Sequence, residues 1–263
     1  MSSPTPSSPD AAPAPAGGGA ALRFPGAVVA ITGANGALGR ALLRRWHARG
    51  ARLIALTTCE EPLALTDAAG EPLPVRQVCW RAGAEALLEP LLAEVDVLVI
   101  NHGVNRLGQR SAVAATEALE VNALSAWRLL ELFARVVSQR PTAGRPRAEV
   151  WVNTSEAEIQ PALSPLYEIS KRLLGELLSL RALDLAAILR IRRLVLGPFR
   201  SALNPYGVMS ADWVAGEILR QAGWNCGLIL VSPNPLTYVL MPLAALTRRL
   251  YYGLVSKAER PAA

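Results

Sequence analysis

An alternation limits this fold more than any other feature of the chain. Short apolar, β-branched runs at 27–32, 52–57, 75–79, 95–100, 149–152, 191–196 and 228–231 are separated by stretches of helical periodicity at 38–49, 84–93, 111–138, 165–185 and 211–221. Runs so short and so continuously apolar suit strands buried on both faces, and strands joined through helices pair in parallel by crossovers. The expected fold is α/β, a doubly wound parallel sheet with helices on both sides. One link departs from the pattern: residues 60–74 carry Pro62, Gly70, Pro72 and Pro74 and read as a loop. A second Pro/Gly/Arg stretch, 139–147, lengthens the turn before the fifth strand.

Residues 1–22 are mostly Ser, Pro, Ala and Gly with almost no large apolar side chain, so they cannot offset their own chain entropy and are expected to be a disordered tail without the pattern of a secretory leader. Residues 23–234 form the α/β domain, and 235–263 are a C-terminal extension. The net charge of +6 is scattered as single arginines and pairs, not as a basic run with interleaved aromatics, so nucleic acid is not an expected partner. Cys59, Cys79 and Cys226 form no Cys-x-x-Cys pair, and neither His47 nor His102 sits in a ligand cluster. Reduced thiols in a cytoplasmic setting, and no metal site, are the expectation.

The first strand runs directly into Thr32-Gly33-Ala34-Asn35-Gly36-Ala37-Leu38-Gly39, where a helical pattern begins. Glycines at these positions let the backbone turn tightly, admit a pyrophosphate to the helix N-terminus and let helix and strand pack closely. A Gly-rich turn alone is equally a loop; its setting between strand and helix makes Thr32, Gly33, Asn35, Gly36, Leu38 and Gly39 candidate dinucleotide contacts. The second strand ends in Leu56-Thr57-Thr58-Cys59, with no acid before Glu60. An acid there would bind a ribose 2′-hydroxyl and exclude a 2′-phosphate, whereas Thr57 and Thr58 can donate to one, so NADP(H) is favoured over NAD(H). The threonines also simply end a strand, and no arginine stands beside them. Asn101 and Gly103, at the end of the fourth strand, leave room for a cofactor ribose. His102 between them has no nearby carboxylate to orient it and is set aside as a catalyst.

Lysine occurs twice, at Lys171 and Lys257, and Lys171 stands four residues after Tyr167. On a helix the pair shares a face. A phenol is a poor base at neutral pH, but an adjacent ammonium and a cofactor cation stabilise its anion. Ser155 lies twelve residues before Tyr167, at the end of the fifth strand, where its hydroxyl can hold a substrate oxygen. The same helix, taken alone, is also an ordinary amphipathic helix with a tyrosine at its edge.

From about Ala27 to about Pro233 these residues resemble the short-chain dehydrogenase/reductase family. That family's Thr-Gly-x-x-x-Gly-x-Gly turn is matched in a variant form, and Asn101-His102-Gly103 is similar to its Asn-Asn-Ala-Gly segment. Asn122 falls where the family has a helix asparagine that holds a water in a proton relay. The resemblance implies a Rossmann-like fold and a catalytic tetrad of Asn122, Ser155, Tyr167 and Lys171. Tyr167 would be the acid/base, Lys171 would bind the nicotinamide ribose and lower the tyrosine pKa, and Ser155 would position the carbonyl or alcohol. The run from Leu196 to Ser201 resembles the segment that contacts the nicotinamide carboxamide, which adds Gly197, Phe199 and Ser201 to the cofactor site. Two departures stand out: Cys79-Trp80 replaces an aspartate that touches adenine in many relatives, and 139–147 is an insertion. The implied activity is NAD(P)-dependent hydride transfer between nicotinamide and a hydroxyl or carbonyl carbon, in a homo-oligomer built through 111–138 and 167–185. The alternative is a non-catalytic nucleotide-binding or scaffold protein of the same fold.

In the C-terminal extension the unbroken apolar run 238–246 is too short for the ~20 residues that cross a bilayer, and Arg248-Arg249 stands just beyond it. Two readings stay open. The segment either caps the substrate pocket or packs on another subunit, or it lies on a membrane at its cytoplasmic face with the arginines toward headgroups. Both make the entrance greasy, with Leu163, Leu166 and Leu203 near the mouth, and predict a lipophilic alcohol or carbonyl substrate.

Overall fold

The computed structural model describes residues 26–141 and 144–258, so the expected N-terminal tail lies outside the described residues. The elements run β1 (Val28–Thr32), α1 (Ala37–His47), β2 (Arg52–Thr57), β3 (Val75–Cys79), α2 (Glu89–Leu92), β4 (Val97–Ile100), α3 (Ala112–Leu119), α4 (Ser125–Ser138), β5 (Glu149–Ser155), α5 (Pro165–Leu185), β6 (Arg190–Leu196), α6 (Ala211–Gly223), β7 (Leu228–Val231) and α7 (Thr237–Val255). The strands form one parallel sheet of seven in the order β3-β2-β1-β4-β5-β6-β7. The chain leaves β1 toward β2 on one side and returns to β4 on the other, so a crevice opens between the carboxyl ends of β1 and β4, where such sheets bind ligands.

Side-chain alternation along the strands divides the core in two. Val29 and Ile31 of β1, with Leu53, Val97, Val99 and Leu194, face Leu38, Leu42, Trp46, Val214 and Ile218 of α1 and α6. Val28 and Ala30, with Ile54, Leu98 and Ile100, face Leu129, Phe133, Leu174 and Leu178 of α4 and α5. The 60–74 loop carries no helix, only a bridge between Thr66 and Pro72.

Two expected helices are broken. Residues 84–93 form a 3₁₀ turn, Glu85–Leu88, before α2, because Pro90 at the start of α2 cannot continue a helix from the N-terminal side. The continuous helix expected over 111–138 divides into α3 and α4 around a π turn, Glu120–Leu124, which contains Asn122. Such turns insert a residue into the helical ladder and are frequent at functional sites.

The C-terminal extension is a helix joined firmly to the sheet. Met241 is fully buried against Val195 and Leu230, Arg248 pairs with Glu158 at 2.8 Å and Glu176 at 2.8 Å, and Tyr252 donates to Glu176. Arg248 is therefore directed inward, not toward headgroups, while Arg249 is exposed. Among the described residues no helix is long and apolar enough to cross a membrane.

Candidate active site

Gly33 has φ +61°, a left-handed conformation that a side chain would strain, and a Cβ there would stand 2.9 Å from the His102 backbone. A Cβ on Gly39 would meet the Gly33 carbonyl at 2.4 Å. Both glycines are thus required by the turn itself. It delivers the chain to an α1 whose N-cap, Gly36, supplies no side-chain cap, with no acid in the first turn. In contrast, Ser111 and Ser210 cap α3 and α6 through their hydroxyls. The open N–H groups and positive helix end suit a pyrophosphate. Leu38 is buried in the core and Thr32 is fully buried, so neither side chain reaches this surface; Asn35 and Gly36 are exposed.

Thr32 instead fastens the crevice. Its Oγ1 accepts from the Asn101 N–H at 2.8 Å and the His102 N–H at 3.2 Å. The Asn101 amide then donates to the Gly33 carbonyl at 3.4 Å and accepts from the Asn153 amide at 2.9 Å. The Asn153 carbonyl receives Lys171 Nζ at 2.9 Å. A single hydrogen-bonded chain therefore runs from the glycine turn across the ends of β4 and β5 to α5.

Tyr167 and Lys171 share a face of α5, with the ammonium 5.6 Å from the ring centre. The Ser155 hydroxyl, at the end of β5, donates to the Leu196 carbonyl at 3.3 Å and interacts with the Tyr167 phenol. Asn122 is held from three sides: its amide nitrogen donates to Ser170 Oγ and the Val104 carbonyl, each at 2.9 Å, and its oxygen accepts from the Val104 N–H at 2.7 Å. Gly103 leaves room for this oxygen, which a Cβ would approach to 3.1 Å. The four tetrad residues are thus gathered at the carboxyl edge of the sheet, with Ser170 and Asn153 as their fasteners. Neither fastener was singled out from sequence, although Asn153 stands two residues from Ser155, and so on its face of β5.

Burial governs the charges here. Loss of water lowers the Lys171 pKa from 10.5 to about 8, with Glu158 pulling it upward. Burial also raises the Tyr167 pKa above its ordinary value; Ser155 works against this and Glu156 adds to it. Without cofactor the balance at the phenol is therefore upward, with burial the largest cause. His102 falls to about 4 through burial and the Lys171 charge. Its Nδ1 lies 2.9 Å from Thr32 Oγ1, and its ring stands edge-on to Trp80, so it is a neutral packing group.

At the adenosine end Thr57 is buried, and its hydroxyl accepts from the Cys59 N–H at 3.1 Å, so only Thr58 is exposed. Trp80 is buried in the core beside the exposed Cys79, which leaves no acid at that position. An arginine not anticipated here is Arg40, one residue after Gly39. Its guanidinium donates to Asn35 Oδ1 and the Ala64 carbonyl, each at 2.8 Å, bridging the glycine turn to the 60–74 loop with no carboxylate partner among the described residues. At the nicotinamide end, a Cβ on Gly197 would strike Ser232 Oγ at 2.7 Å. The Phe199 ring packs against the core, and the Ser201 hydroxyl accepts from the Asn204 N–H at 3.2 Å. The Asn105 amide ties this loop down by donating to the Leu203 carbonyl at 3.2 Å. Leu163, with φ 55° and 93% exposed, and Leu203, 42% exposed, both present apolar side chains to solvent. These features fit a nicotinamide dinucleotide along the crevice, with the phenol and a serine hydroxyl beside its reactive end.

The family model described as NAD dependent epimerase/dehydratase family matches residues 29–172. A monoglucosyldiacylglycerol epimerase of Synechocystis sp. is 46% identical over 240 residues, covering 91% of this chain and 57% of that protein. The chain spans little more than half the length of the curated relatives it matches. Among solved structures, a short-chain dehydrogenase from Sphingobium yanoikuyae in complex with NADPH superposes with a TM-score of 0.70 at 18% identity, over 90% of this chain and 99% of its own. One from Burkholderia cenocepacia in complex with NADP gives 0.67 at 19%, over 89% and 99%.

Proposed function

The chain belongs to the NAD dependent epimerase/dehydratase family, of short-chain dehydrogenase/reductase type, and from that footing we propose that it oxidises and re-reduces a hydroxyl-bearing carbon on the sugar of a lipophilic glycoside. The observation that carries the reading is Tyr167 beside Ser155 and over Lys171 at the carboxyl edge of the sheet. The name of the Synechocystis relative supports both the glycolipid and the net inversion, where the sequence implied hydride transfer without a preferred outcome.

When bound, the nicotinamide accepts a hydride from the carbinol carbon and can return it. In this reading Ser155 holds the substrate oxygen, and Tyr167 takes the hydroxyl proton as the C–H bond breaks, leaving a ketone. The same phenol gives the proton back when the hydride returns to the opposite face. Lys171 keeps N–H groups free of Asn153 for the cofactor ribose, and its charge favours phenolate once that site is filled. Asn122 fixes the start of the relay through Ser170.

Incubating the enzyme with a glucosyl lipid and a small amount of NADP(H), while monitoring sugar configuration and nicotinamide absorbance together, tests this. Inverted product should exceed the cofactor present, with no net absorbance change. Stoichiometric reduction of NADP would instead make it a dehydrogenase, and failure to convert any glucoside would remove the reading. Tyr167→Phe should lower turnover by about 10²–10⁴ while NADPH still binds.

NADP(H) in preference to NAD(H) is part of this proposal and now rests mainly on Arg40. A 2′-phosphate would replace two neutral acceptors with an anion, and charge-assisted bonds of this kind contribute about 1.5–3 kcal/mol. Arg40→Ala should therefore raise the NADPH KM by about 10-fold to 100-fold and change that for NADH by less than about threefold. Equal effects on both would sink the assignment. A homo-oligomer on the cytoplasmic face of a membrane also remains a proposal, supported by exposed Val239, Leu246, Leu250 and Leu254 on α7.

A further inference from the structure

We propose that the groove between α7 and the turn after Ser155 is a binding site for the hydrocarbon chain of the substrate. The inference rests on the reading of that substrate as a lipophilic glycoside. The groove is about 410 Å³ and is lined by Ile159, Leu240, Leu243, Ala244, Thr247 and Arg248. Positions 240, 243, 244 and 247 form one stripe of α7, at the i, i+3, i+4, i+7 spacing of a single helix face.

Three features make this a site and not loose packing. Ile159 closes the 3₁₀ turn Glu156–Glu158, donating its N–H to the Glu156 carbonyl at 3.0 Å, and that turn starts at the residue after Ser155. The groove is therefore walled by the turn that follows the residue proposed to hold the reacting hydroxyl. Next, α7 is pinned on both sides of the stripe and cannot close over it. Toward its start Thr237 donates to Glu156 at 2.8 Å and accepts from the Gln160 amide at 2.9 Å; farther along, Arg248 pairs with the buried Glu158 at 2.8 Å. Leu240 and Leu243 consequently remain 38% and 57% exposed between those anchors. Finally, Thr237–Val255 contains no acidic residue, and the one cation in the lining is already paired with Glu158 and Glu176. The groove offers no free charge, which suits an uncharged alkyl or acyl chain of the proposed substrate.

Alkyl β-glucosides from methyl to octyl, titrated calorimetrically into the full-length protein saturated with NADPH, provide the test. Each methylene moved from water into the groove should tighten Kd about fourfold. Leu243→Gln should flatten this dependence, and Thr247→Leu, which adds apolar lining, should steepen it. Leu254→Gln, 85% exposed on the same helix but outside the lining, should leave the slope as in the wild type. A Kd independent of chain length in the wild type overturns the site, as does a slope untouched by both groove variants. Sedimentation supplies a further adverse outcome: a dimer that Leu243→Gln dissociates, without chain-length dependence, would make the groove a contact between copies. Because binding is read without turnover, chain-length-dependent binding with no sugar inversion would sink the proposed reaction and leave the site standing.

Discussion

Lys171 illustrates how one residue can be legible in role and misleading in energetics. Its scarcity and its spacing from Tyr167 are visible in the sequence, but the depth at which α5 holds the pair is not, and depth decides the charges. Lys171 is 3% exposed, and its pKa falls from 10.5 to about 8. The native state thus binds fewer protons than the unfolded chain between about pH 8 and pH 10.5. Stability rises with pH across that window, and the full cost of the buried ammonium is present below it. At 1.36 kcal/mol per pKa unit the cost is about 3 kcal/mol, against about 1 kcal/mol gained from the Asn153 carbonyl. Lys171→Met should therefore raise the melting temperature of the cofactor-free protein at pH 7 by about 5 °C, a difference that shrinks toward pH 10. A constant difference at all pH values would show that shape, not charge, is responsible. Lys171→Arg should lose most activity despite its charge, because a planar guanidinium cannot reach both the Asn153 carbonyl and a ribose from this depth.

At the scale of elements, what could be read from sequence is what a local pattern determines. α5 was expected over 165–185 and runs Pro165–Leu185, since Pro at its first turn and unbroken helical periodicity set both ends. The π turn at Asn122 was hidden because its cause is tertiary: the amide is drawn to Val104 and Ser170, which lie 18 and 48 residues away in sequence. The same holds for Arg192, Arg193 and Arg248, which composition presents as scattered surface charge. Arg192 meets Glu149 inside the sheet, and Arg193 and Arg248 converge on Glu158, whose side chain has no exposed surface. Removing Arg248 would leave Glu158 with Arg193 alone and free the middle of α7. Arg248→Met should speed amide exchange in α7 by tenfold or more while amides of β1 and β4 keep their protection, as expected of an element that opens separately. Uniform acceleration over the whole sheet would show that α7 does not open on its own.

In the molecule as a whole, the crevice divides the labour of the sheet. The glycine turn, Arg40 and Thr58 belong to the β1–β3 side, whereas Ser155, Tyr167, the Gly197–Ser201 loop and α7 belong to the β5–β7 side. Doubly wound order was legible because alternation of strands and helices leaves few ways to connect a parallel sheet, and right-handed crossovers remove most of those. The attachment of α7 was not legible, because nothing local tells which face of an apolar helix after the last strand docks; Met241 against Val195 and Leu230 marks that face and leaves the opposite one exposed. Its main contacts fall on α5 and β7, on the substrate side of the crevice. A chain ending at Pro235 should consequently melt several degrees lower, with Val195 and Leu230 newly exposed and Glu158 short of a partner, yet keep its response to cofactor. At 100 times Kd, NADPH stabilises a one-site protein by about 2.7 kcal/mol whatever its starting stability. The NADPH-induced rise should thus correspond to the same free energy in both chains, while binding of octyl β-glucoside is lost from the shorter one. If the shorter chain also loses its NADPH response, α7 supports the cofactor half as well, and the division at the crevice does not hold.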